Sequence, residues 1–62
     1  MSNAKELREM IIETLVKLAH MHNELAELRC DERNVYAVIA NGNAARNYYI
    51  RSERIKDGRI DI

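Results

Sequence analysis

Proline, tryptophan and phenylalanine are absent from the chain, and glycine occurs only at Gly42 and Gly58. With so few residues that favour turns, the chain is expected to form long regular elements with short joints. Cysteine is limited to Cys30, which excludes an intrachain disulfide framework and favours a reducing, cytoplasmic setting. Cys30, His20 and His22 show no Cys-x-x-Cys and no paired ligand spacing, so neither metal nor cofactor is expected. No apolar run approaches the roughly 18 residues of a membrane span, and no signal peptide is visible. An excess of one charge is missing too, with ten basic residues against ten acidic ones. That balance argues against a broadly electrostatic nucleic-acid binder and leaves room for a local basic patch.

What remains is a chain of 62 residues, 47% apolar and 32% charged. This composition suits a folded protein rather than a disordered one. Domains near this size bury only about 60% of their unfolded surface and lean on metals, disulfides or partner chains. With the first two excluded, association is the expected route to stability. A single helical domain over 1–62 is expected, with helix one at about 3–30 and a turn at about 31–34. Helix two follows at about 35–57, with a short tail at 58–62.

Helix one carries the strongest pattern. Asn3 with Glu6 three residues later reads as an N-cap and its capping-box partner. Ala4, Leu7, Ile11, Thr14, Leu18, Met21, Leu25 and Leu28 then recur at steps of three and four, a heptad seam interrupted only by Thr14. A second stripe of Ile12, Leu15, Val16, Ala19 and Ala26 runs beside it. The opposite strip holds Glu6, Glu9, Glu13, Lys17, His20, Glu24 and Glu27 and belongs in water. So wide an apolar arc needs more than one neighbouring helix. Some of those neighbours should be other copies of the chain. The expected interface between copies is Leu7, Ile11, Leu15, Leu18, Met21, His22, Leu25 and Leu28.

The stretch "ANGNAARNYYIR" decides the rest. Asn41-Gly42 is a favoured hairpin dipeptide, but "NAARN" is a poor strand start. A continuous helix fits better, with Val35, Val38, Ile39, Gly42, Ala45 and Tyr49 on its packing side. There Gly42 and Ala45 would let backbones approach, Tyr49 would pack in the core, and Gly42→Leu would loosen the packing. Gly58 is expected as the left-handed residue that ends helix two. The expected fold is therefore all-α, a two-helix antiparallel hairpin assembling into a homo-oligomeric bundle. The alternative is a small winged helix-turn-helix over 35–62 with "NGN" as its turn. In that setting "NYYIRSERI" followed by "DGRIDI" resembles the recognition helix and wing of small excisionase-like and MerR-like regulators. The turn is two residues shorter than theirs. That resemblance implies sequence-specific DNA binding.

The candidate binding residues are Arg33, Tyr36, Asn43, Arg46, Asn47, Arg51 and Arg54. All but Arg46 face away from the expected packing side, and no carboxylate interrupts that strip. Arg46 sits at its edge, in reach of Glu24 or Glu27 of another copy. Residues 43–59 hold five basic residues against two acidic ones. Arginine and asparagine present fixed donors to phosphate or carboxylate. His22 lies within the apolar arc and is expected to be a hydrogen-bonded core or interface histidine. Cys30 lacks a neighbouring base and reads as a structural thiol. There is no glycine-rich phosphate loop and little room for a pocket within one chain. The expectation is a non-enzymatic regulatory or inhibitory protein that acts as a homo-oligomer. Its partner would be a protein or an anionic ligand, with DNA as the alternative.

Overall fold

A computed structural model describes residues 3–62 and shows two α-helices, α1 over Ala4–Asp31 and α2 over Val35–Lys56, packed antiparallel. The all-helical hairpin is the fold the periodicity predicts. Among the described residues there is no strand, so the β-hairpin and the winged alternative are both absent. α2 runs unbroken through Asn41-Gly42-Asn43, which removes the turn that a helix-turn-helix would require.

The ends of each helix follow from local chemistry. The Glu6 amide donates to Asn3 Oδ1 at 2.9 Å, so the Asn3 half of the capping box is formed. α1 stops at a Schellman arrangement, in which the Asn34 amide reaches Arg29 O and the Arg33 amide reaches Cys30 O, each at 2.9 Å. The residue that takes the left-handed conformation there is Arg33, at φ 58°. Asn34 then caps α2 by accepting from the Ala37 amide at 3.2 Å. The same motif closes α2, now with Gly58 at φ 80° and the Arg59 amide on Arg54 O at 2.8 Å. Gly58 is thus the left-handed terminator the sequence predicts.

The face each helix turns inward is not the one with the strongest apolar pattern. On α1 the buried or half-buried line is Arg8, Ile12, Leu15, Ala19, His22, Ala26 and Arg29. This is the second stripe, one residue step from the heptad seam. On α2 the inward line is Val38, Asn41, Ala45, Tyr48, Ser52 and Ile55, which keeps Val38 and Ala45 of the expected packing side and lies one step from Val35, Ile39, Gly42 and Tyr49. Ala19, Ala45 and Ser52 are among the most buried side chains, as expected where two backbones lie close together. Three earlier expectations are thereby corrected. Gly42 is exposed, and a Cβ added to it would meet nothing within 4 Å. Tyr49 is 52% exposed, and Tyr48 is the tyrosine that packs. Leu15 and His22 already serve the hairpin itself.

Polar residues can occupy the inward line because each has a partner. Asn41 Nδ2 donates to Ala37 O at 2.9 Å, which turns its Oδ1 toward His22 Nδ1 at 2.7 Å. That amide orientation requires the His22 proton to sit on Nδ1. The His22 ring also stacks on Tyr48, with centroids 5.5 Å apart and planes 18° from parallel. Ser52 Oγ donates to Tyr49 O at 2.6 Å. At the open end, the Arg8 guanidinium donates to Ile55 O in the last turn of α2. A cation there also meets the negative end of the helix dipole.

The result is a single layer. The hairpin measures 44 × 24 × 11 Å, and its thickness is that of one helix. Its radius of gyration is 14.0 Å, against roughly 11 Å for a compact domain of this length. Among the described residues only Leu15, Ala19, Ala45 and Ile55 form a buried apolar core.

Candidate binding face and uncovered seam

Two surfaces stand out once the hairpin is closed. The first is on the outer side of α2. Asn47, Arg51 and Arg54 converge there with Tyr48 and Ile60 around an open groove of about 350 Å³. Helical spacing of three and four residues puts the three polar side chains on one side. The tail completes the groove because the Ile60 amide turns back onto Arg54 O at 3.1 Å. No carboxylate lines it. The only ion pair among the described residues joins Arg29 to Glu32 at 2.9 Å, away from this groove. Arg51 and Arg54 form no ion pair among the described residues.

The remaining predicted binding residues do not join this groove. Tyr36 and Asn43 lie further along the same outer ridge, and Tyr36 is 88% exposed. Arg33 is held in the turn between helices by the α1 terminator. Arg46 is exposed on a different flank, beside Ile39, Gly42 and Tyr49. The geometry thus reduces seven candidates to a cluster of three with two outliers on the same ridge. Tyr48 and Ile60 are not among the seven predicted binding residues. Tyr48 was hidden by the wrong choice of packing face, and Ile60 by a fold-back that only the Gly58 terminator would suggest.

The second surface is the heptad seam of α1. Leu7, Met10, Ile11, Met21 and Leu28 are all about half exposed, Leu28 reaching 58%. Leu18 and Leu25 are half-buried at the inner margin of the same strip. Leu7, Met10, Ile11, Thr14 and Leu15 outline an apolar hollow of about 310 Å³. Thr14, the one polar interruption, donates its hydroxyl to Met10 O at 2.7 Å. Its polar group is satisfied within the helix, and its methyl can join the seam.

Cys30 is an exposed free thiol. Among the described residues no three His, Cys, Asp or Glu side chains gather to hold a metal ion, and no helix is long and apolar enough to cross a membrane. Comparison with protein-family models, curated proteins and solved structures finds no match. The functional reading therefore rests on these two surfaces.

Proposed function

We propose that this chain is a small, non-enzymatic binding protein of regulatory or inhibitory type that works as a homo-oligomer. It presents the Asn47, Arg51 and Arg54 groove to an acidic partner. The observation that carries this reading is the convergence of two arginines and an asparagine on a groove without a carboxylate. Guanidinium groups form paired hydrogen bonds to carboxylates and phosphates, and Tyr48 and Ile60 supply apolar contact beside them. The homo-oligomer follows from the uncovered α1 seam, which has the spacing of a helix-packing surface.

The test is fluorescence anisotropy with a labelled deca-glutamate peptide and, in parallel, a labelled DNA duplex. The peptide should bind, and Arg54→Glu should weaken it by tenfold or more. Absence of peptide binding, or an Arg54→Glu variant that binds as well as the parent, would overturn the reading. Retention of the duplex alone, with steep salt dependence, would replace it with the DNA-binding one.

A further inference from the structure

We infer that the seam of α1 is covered by α2 of a second copy, in a face-to-face pair whose interhelical turns lie at the same end. This deepens the homo-oligomer reading above and depends on it.

The amount of bare surface points to another copy as the occupant. The hairpin exposes 5157 Å², whereas a compact monomer of 7.2 kDa exposes about 4,100 Å². The surplus is of order 1,000 Å² per chain, and a standard stable interface buries about 800 Å² on each side. A layer one helix thick has no second layer to cover its faces. A single further hairpin of the same dimensions supplies one.

The content of the face selects the orientation. The tail shows which residues share it, since Ile60 borders Arg51 on α2 while Ile62 borders Leu7 and Ile11 on α1. At about 100° per residue, the side of α2 that carries Arg51 also carries Ala37, Ala40 and Ala44. The α1 half of the face is therefore built of large side chains, and the α2 half is built of alanines over its first three turns, with Arg51 toward the open end. Stacking α1 on the partner's α1 would set large on large and leave alanine on alanine, so the two layers could not meet evenly. Stacking α1 on the partner's α2 sets large against small along both seams, the arrangement that fills space without voids.

Charge selects the same orientation. The outer edge of α1 is mostly acidic, with Glu6, Glu13 and Glu24, while Arg54 is the basic residue on the outer edge of α2 and Arg51 stands next to it at the rim of the face. Copies stacked with turns at opposite ends would run each acidic edge beside itself. Copies with turns at the same end run acidic beside basic, and like charges are kept apart. Arg51 then lies at the rim between the two chains, and Asn47 and Arg54 stay on the outer ridge, so the groove remains open beside the pair.

Cys30 makes the test direct, because it is the only cysteine, is exposed, and lies at the turn end of α1. A nitroxide on Cys30 of the intact chain reports the separation between copies by double electron–electron resonance. Same-end stacking places the two labels within roughly 25 Å, about two helix diameters. Opposite-end stacking places them near the 44 Å length of the hairpin. A distance near that length, or no dipolar coupling at all, overturns the inference. Loss of peptide binding with a short label distance would reject the acidic-partner reading alone and leave the pairing intact.

Discussion

Arg33 is the residue whose conformation its chemistry least favours. It sits at φ 58°, a region that costs an L-residue with a side chain roughly 1–2 kcal/mol and costs glycine little. Gly58 fills the same role at the end of α2 without that cost. Arg33→Gly should therefore stabilise the hairpin by about 0.5–1 kcal/mol after allowing for the looser unfolded chain. A thermal melt that moves downward would show that the Arg33 side chain holds a compensating contact. Gly42 is the converse case, a mid-helix glycine with open space where its Cβ would be. Gly42→Ala should raise stability by about 0.5–1 kcal/mol. A loss in denaturant unfolding would mean that another chain occupies that space. The caps at Asn3 and Asn34 and the terminator at Gly58 were legible because each uses a residue type that announces its role. Arg33 was not, since nothing about arginine signals a left-handed turn.

At the scale of the helices, the lengths and the hairpin were readable from periodicity, and the facing surfaces were not. A wheel drawn from hydrophobicity gives Asn41 and Ser52 to solvent and rewards Val35, Ile39 and Tyr49. The fold does the reverse, because Asn41 and Ser52 satisfy their own polar groups on the preceding turn. The His22–Asn41 bond and the Tyr48 stack then fix how α1 and α2 slide past one another. A single neutral hydrogen bond contributes about 0.5–1.5 kcal/mol. His22→Ala and Asn41→Ala should each destabilise the hairpin, and a double-mutant cycle should show a coupling near 1 kcal/mol. Additive effects would mean the bond does not form in solution. The candidate groove was half legible for the same reason. Asn47, Arg51 and Arg54 follow from spacing alone, while Tyr48 and Ile60 depend on the correct face and on the folded-back tail.

The seam of α1 belongs to the same scale, and the proposed assembly makes a prediction about it. Met21 is 55% exposed in the hairpin, so Met21→Glu removes almost nothing from the contacts within one chain. It should nevertheless weaken association by tenfold or more, because it buries a charge where the copies meet. Sedimentation velocity across a concentration series checks this, and an unchanged distribution would place the interface elsewhere.

At the scale of the molecule, the hairpin is a layer 11 Å thick with four buried apolar side chains among the described residues. So small a core stabilises a fold only marginally, and the proposed pairing would add stability by burying the bare seam against a second copy. Stability and copy number are linked, so the melting temperature should rise with protein concentration. The most direct measurement of the central claim is the mass of the folded chain in dilute solution, by light scattering behind size exclusion with circular dichroism on the same fractions. A helical species of at least twice 7.2 kDa is predicted, dissociating with loss of helix on dilution. A fully helical, stable species at the mass of one chain would contradict it.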